Sequence, residues 1–446
     1  MTVLARTLRT VDYFTLGFGT MVGVGWLVLM DDWLGRGGPL GGVLGFVLGG
    51  LLLLPIASVY GRLVTLMPDA GGEVAYTAKV FPSWVSFVTG WIMMLAYLIV
   101  CPWEAVAIGR LASYVFPALN SMELYQVAGR PVYLPQLVLG LALTALITCL
   151  NYRGVRTSAT FQNWTTFGLL ALSVVFISLG FGRGTPHNWA PAFSHAPLLS
   201  VLLVLQIVPY FMVGFESITK GAEEAHPAFR SLDFLRAMTA AIIVAMIFYA
   251  AVIAAASYVH PWKTLVSERF ATAVAFEHAF GSRRIVAVIF AAALLSLLKV
   301  FNGNFLAASR MFFALGRRGL VDSRLSHIHP HNQTPDLAVL AIGLLTAVAV
   351  FLGDAILVPV TEVGSLAGAC GWLASCASCH RLQAAARDRA FAVTGIVVST
   401  ALILMKLLPF VPGSFTRYEY LALVIWMALG LVLRKREAST SFTEAR

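Results

Sequence analysis

TMVGVGW, residues 20–26, sets two glycines, Gly23 and Gly25, inside the first long apolar run, where a membrane helix would run on unbroken. Each glycine costs about 1 kcal/mol of helix propensity relative to alanine. A later run, QIVPYFMVGFESITKGAEE at 206–224, is interrupted in the same manner by Pro209 and Gly214 and carries Glu216 within it. The tripeptide MVG occurs in both runs, at 21–23 and 212–214. Close helix packing explains a lone glycine pair. Local unwinding explains two interrupted runs at matching places. Backbone left unpaired in hydrocarbon costs several kcal/mol, so an unwound stretch survives only where it lines a protein cavity. Interrupted helices in corresponding positions of two halves point to a transport site at the membrane midplane.

Composition supplies the solvent for this reading. Hydrophobic residues make up 59% of the chain and charged residues 12%, with a mean hydropathy of +0.82. An ordinary soluble domain has about 25% charged residues. About twelve apolar runs are long enough to cross a bilayer as helices. They lie at 11–30, 40–66, 84–116, 133–151, 160–181, 198–219, 235–260, 283–309, 336–353, 358–380, 391–410 and 418–434. The expected fold is therefore an all-α integral membrane protein, a single transmembrane domain over 1–446 that ends in a short tail at 435–446. Arg6 and Arg9 lend the first run the look of a signal sequence, but the run is long and further spans follow, so it is read as an uncleaved span. Prolines 68, 82, 186, 191, 227, 261, 330 and 335 fall between the runs, where a missing backbone donor does little harm. Gly41, Gly45 and Gly49 share one face of the second run and predict a close helix contact.

About two thirds of the 31 lysines and arginines fall on the side of the N-terminus if the spans alternate. That bias places both termini in the cytoplasm and the chain in the plasma membrane, although Arg283 and Arg284 run against it. The same bias accounts for the +10 formal charge, so no nucleic-acid partner is called for.

Four motifs resemble the amino acid–polyamine–organocation permeases. GFGTMVGVGW at 17–26 is similar to their glycine-rich first helix, and PDAGGEVAY at 68–76 to their segment between helices 2 and 3. FMVGFESITKGAEEAHPAFR at 211–230 resembles the broken helix 6 and its acidic loop. NGNFLAASRMFFALGRRGLVDSRLSHIHPHNQTP at 302–335 resembles the end of helix 8 and the loop that follows. The resemblance implies two inverted five-helix repeats, 11–181 and 198–380, with two helices appended at 391–434. It also implies a secondary active transporter of amino acids or related amines that works by alternating access. An exchanger of the same fold, or a sensor that binds without transporting, are the alternatives.

The glycines then acquire a chemical purpose. Amides beyond a break at Val22–Gly25 form the positive end of a half-helix, which suits a substrate carboxylate. Carbonyls freed around Gly214 accept from an amino group. Val22, Gly23, Val24, Gly25 and Trp26 at the first break, with Tyr210, Phe211, Gly214 and Phe215 at the second, are the expected substrate-binding residues. Family likeness puts Tyr210, four residues before Gly214, over the substrate. Trp26 departs from the family's usual aliphatic residue; it either narrows the pocket or packs against a neighbouring helix.

Three charged groups within the spans call for a role. Glu104 either rims the outer vestibule or contacts a substrate amine, since an intramembrane carboxylate faces a cavity or a partner. Glu216 matches a family carboxylate linked to proton movement; the alternative is a fixed cap on the second half-helix. Lys299 shares one face of the eighth run with Ser296 and Asn302, and Asn302, like Glu104, is a possible vestibule or substrate contact. Some family members carry a lysine in helix 5 that fills the sodium position of sodium-coupled relatives, and span 5 here has none. Lys299 is expected to supply that ammonium from helix 8, making the transporter proton-coupled and independent of sodium. Its bland alternative is a lysine that reaches the aqueous pathway without a coupling role.

Other signals are discounted. CASCH at 376–380 fits a haem-attachment pattern, but it falls near the cytoplasmic end of span 10, on the wrong face. His327, His329 and His331 alternate as metal ligands can, yet lie in a loop where surface anchoring explains them. Glu223 and Glu224 read as part of a cytoplasmic gate network. No cofactor or metal is expected.

Overall fold

The computed structural model describes residues 4–268, 270–382 and 385–434. Arg269 and the basic tail at 435–446 lie outside the described residues. The first apolar run is split: α1 (Thr10–Met21) stops, and α2 (Gly25–Val28) resumes after residues 22–24. Next, α3 (Met30–Leu66) follows at once and turns at Gly38, which takes φ +65° just before Pro39. Residues 31–37, outside both expected spans, are thus helical, with Asp32 and Arg36 paired at 2.8 Å one turn apart.

After the Pro/Gly-Gly segment comes the short α4 (Glu73–Val80). The third run divides at Ile99 into α5 (Ser83–Leu98) and α6 (Val100–Val115). Pro102, which has no N–H, cannot bond back to the Leu98 carbonyl, next to the point where the two helices meet. Runs four and five are α7 (Leu134–Arg153) and α8 (Val155–Arg183). The sixth run is broken into α9 (Pro197–Leu205), α10 (Val208–Met212) and α11 (Ser217–Lys220). Run seven is α12 (Ser231–Val259), and α13 (Trp262–Leu265) and α14 (Ala271–Phe280) connect it to α15 (Arg283–Arg317), run eight. The last four runs lie on α16 (Asp336–Val350), α17 (Leu357–Leu382), α18 (Ala386–Leu407) and α19 (Arg417–Leu433).

Among the described residues, eight helical stretches are long and apolar enough to cross a membrane. The sixth run does not qualify by length because its pieces have 9, 5 and 4 residues. This is an all-helical membrane architecture. Its one described two-stranded sheet is a hairpin, Glu123–Val127 with Arg130–Tyr133, which the hydropathy pattern does not reveal. Ala128 and Gly129 turn it with positive φ, as hairpin loops require.

The glycine stripe does what its spacing predicts. A Cβ on Gly41, Gly45 or Gly49 would meet Ser200, Val204 or Val208, residues that repeat with the same four-residue period on α9 and α10. Helix α3 therefore packs flush along α9 and α10, the part of the sixth run that precedes the break at Gly214.

Candidate functional site

The break between α1 and α2 strips five successive carbonyls, Gly19 to Gly23, of their helical donors. Each is met by a side chain from another helix. Lys299 Nζ donates to Gly19 O at 3.4 Å and, more closely, to Val22 O. Ser296 Oγ donates to Val22 O at 3.1 Å and Gly23 O at 2.6 Å. Asn304 Nδ2 donates to Thr20 O at 3.1 Å, and Tyr249 Oη to Met21 O at 2.9 Å. Three of these four side chains come from α15 and one from α12. All are buried, as an accounting of backbone groups in hydrocarbon demands.

The second break is satisfied locally. Gly214 takes φ +141°, a conformation that favours glycine. Its N–H is shared between the two carboxylate oxygens of Glu216, at 3.1 Å each. The two breaks touch here: a Cβ on Gly214 would lie 2.8 Å from Met21 N and from the Thr20 carbonyl carbon. Thr20 Oγ1 and Ser217 Oγ, 3.2 Å apart, join them by a hydrogen bond.

Between the breaks lies a small cavity. Gly23 and Gly25 line it from the first break, with Thr20 and Met21 beneath; Tyr210 and Phe211 line it from the second. Val100, Trp103 and Glu104 of α6 and Val300 of α15 close the remaining walls. A Cβ on Gly23 would stand 2.7 Å from Glu104 Oε1, and one on Gly25 would stand 2.6 Å from the Phe211 ring. Both glycines are needed for this close approach. The Val24 amide donates to Glu104, whose other oxygen, Oε2, is buried with no hydrogen-bond partner. At 2% exposure Glu104 is inside the cavity wall and not on an outer rim.

A family model described as amino acid permease matches residues 12–434. The chain belongs to the amino acid permease family. It is 27% identical to the methylthioribose transporter of Bacillus subtilis, over 82% of this chain and 79% of that protein. It is 25% identical to the branched-chain amino acid permease BcaP of the same organism, over 96% and 92%. The human cationic amino acid transporter 4 is 27% identical, over 79% of this chain and 56% of its own. These relatives are transporters, and the permease is a multi-pass membrane protein that moves amino acids or related compounds.

Several expected site residues stand elsewhere in the permease. Trp26 turns from the cavity and stacks on Phe176 of α8 at 5.2 Å, edge-on to Phe248 of α12. Val22 is used through its carbonyl, and Val24 through its amide. Phe215 packs against Trp372 and Tyr60. Asn302 is neither at the vestibule nor in the cavity: it accepts from Asn151 and Ser158, both at 3.0 Å, and donates to Gln162 at 2.8 Å. The i+3 step from Lys299 carries it one turn along α15, against α7 and α8.

The discounted signals also find structural work. Cys376 packs against Gly395 inside the bundle and Cys379 is buried, so CASCH is helix packing. His327 Nδ1 is 2.8 Å from Asp336 Oδ1, and His329 Nδ1 accepts from the amides of His331 and Asn332. Glu224 pairs with fully buried Arg310 at 2.7 Å, while Glu223 and Asp69 share Arg317 at 2.6 and 2.9 Å.

Trp103, Val100, Val300, Asn304 and Tyr249 escaped sequence reasoning. Apolar residues in an apolar span carry no signal. Asn304 and Tyr249 could be found only by asking which donors would serve the freed carbonyls.

Proposed function

We propose that the permease is a proton-coupled, sodium-independent transporter of amino acids or related amines in the plasma membrane, with both termini cytoplasmic. The two-repeat division at 11–181 and 198–380, with 391–434 appended, belongs to this reading. One observation carries it: the ammonium of Lys299 sits on the carbonyls of the first break, the coordination a bound cation would otherwise receive. A lysine can be emptied of its charge by losing a proton, so closure of α1 onto α15 becomes linked to protons and not to sodium. Glu104, buried with a free oxygen in the cavity, faces the substrate amine and gives the site a preference for a cationic head. Tyr210 and Phe211 cover the bound molecule. Gly23 and Gly25 keep side chains out of its place.

Uptake into proteoliposomes tests this directly. An inward proton gradient should drive accumulation, and sodium should change nothing. Lys299→Met should lose that drive while still binding substrate; accumulation by this variant, or sodium stimulation of the unmodified protein, sinks the proposal. A panel of neutral amino acids, basic amino acids, amines and a thio-sugar, read by thermal stabilisation, identifies the substrate. If only carboxylate-free compounds stabilise the protein, the carboxylate subsite at the first break is wrong. Glu104→Gln should lower affinity for the preferred amine about tenfold, the worth of one charge-assisted hydrogen bond.

A further inference from the structure

A second buried charge cluster lies below the cavity, and the coupling just described does not use it. Lys220, the last residue of α11, is fully buried and pairs with Glu73 of α4, itself fully buried. Tyr60 of α3 donates to the other Glu73 oxygen at 2.8 Å. Lys220 also donates to Thr219 Oγ1 at 3.1 Å, and its ammonium is 5.7 Å from the Tyr97 ring of α5. Gly72 takes φ +46° directly under this ammonium: a Cβ there would stand 2.5 Å from Nζ. Four elements are thus shaped around one lysine.

Glu216 belongs to the same cluster. It is fully buried and lies four residues before Lys220, hence on the same face one turn away. Electrostatic influence reaches it from both Glu73 and Lys220. The other groups facing it are uncharged: Tyr60 from α3 and Tyr97 from α5, with Ser217 beside it on the same helix and hydrogen-bonded to Thr20 of α1. Tyr76 of α4 faces Glu73. Two carboxyl groups and one ammonium are therefore buried together. Lys220 is in hydrogen-bond contact with Glu73, whereas Glu216 accepts from the Gly214 amide. A fully buried cluster avoids a net charge if Glu216 holds the proton.

We propose that Lys220 is an exchangeable counter-ion, held by Glu73 while the cytoplasmic side is closed and passed to Glu216 when α11 separates from α4. This rests on the transporter reading and names a proton site of its own, apart from Lys299. As the cytoplasmic side opens, Glu73 gains water and lets Lys220 go. The ammonium then meets Glu216 at the i,i+4 spacing, and the Glu216 O–H gives its proton to cytoplasmic water. Lys220 stays charged throughout. The cytoplasmic side closes with Lys220 back on Glu73, and Glu216 is loaded again once the outer side has opened, so the proton moves inward once per cycle.

Proteoliposome uptake as a function of pH tests the exchange. Glu73→Gln nearly conserves shape and can still accept from Tyr60, but it frees Lys220 for Glu216 in every state. More protons are then needed to load Glu216, and the midpoint of the pH profile should move to acid by about one unit, tenfold in proton concentration. Lys220→Met should keep substrate exchange without a gradient but lose at least tenfold in gradient-driven accumulation, and Lys220→Arg should restore it. Substrate-induced thermal stabilisation of each purified variant reports folding separately. An unmodified protein indifferent to proton gradients overturns the coupling reading itself. If the unmodified protein is proton-driven and Glu73→Gln has the same profile, or Lys220→Met still accumulates substrate, the counter-ion exchange alone is wrong. A Lys220→Met or Glu73→Gln protein that fails to bind substrate makes the pair a structural one and overturns the exchange as well.

Discussion

The two broken helices solve one problem in opposite ways. At the first, five carbonyls lose their donors and are served from outside, by Lys299, Ser296 and Asn304 of α15 and Tyr249 of α12. At the second, the freed amide of Gly214 is served from within its own helix by Glu216, two residues on. Freed carbonyls carry partial negative charge and meet a cation; a freed amide carries partial positive charge and meets a carboxylate. The first break therefore depends on the docking of α15, and its conformation can respond to what happens there. The second has its freed amide answered locally, and its lower half is held instead through Ser217 to Thr20 and Lys220 to Glu73.

The largest expected effect is at the point where the breaks touch. Gly214→Ala adds a Cβ into the Thr20–Met21 backbone at positive φ, and should cost about 3 kcal/mol or more. Melting in detergent should fall by several degrees; an unchanged melt means the two breaks do not rest on each other. Lys299→Met comes next. It leaves Gly19 O with no donor and Val22 O with Ser296 only, a loss of about 1–3 kcal/mol. Tyr249→Phe should cost about 1–2 kcal/mol by orphaning Met21 O, and should weaken substrate binding by up to tenfold because Met21 lines the cavity. If it is silent, water serves that carbonyl and the outside-served account is too strong.

Smallest of all is Glu216→Gln. Its amide oxygen can still accept from Gly214, so stability should change by under about 1 kcal/mol. Its effect should be on pH instead: Gln imitates the protonated acid, and uptake should lose its dependence on external pH. Full pH dependence in this variant rules Glu216 out as a proton carrier and leaves it as a cap. Comparing Glu216→Gln with Lys299→Met thus separates a local cap from a tertiary one.

The sequence showed where the chain would break but not which side chains would answer. Apolar length, Gly23, Gly25, Pro209 and Gly214 are local properties, and propensity acts over a few residues, so the interrupted runs were legible at once. Lys299 was suspect because an ammonium in an apolar helix must have an acceptor. Its partners, the Gly19 and Val22 carbonyls, lie some 280 positions away and follow only from the packing of α15 on α1. Trp26 shows the limit from the other side: one turn of helical phase decides whether an aromatic faces the cavity or stacks on Phe176, and a break of three residues resets that phase. Glu73 and Lys220 were plain letters inside recognised motifs. Only the fold, by bringing α4 against α11 and burying both side chains fully, made them a pair, because the charge of a buried group has to be answered by whatever the tertiary structure sets beside it.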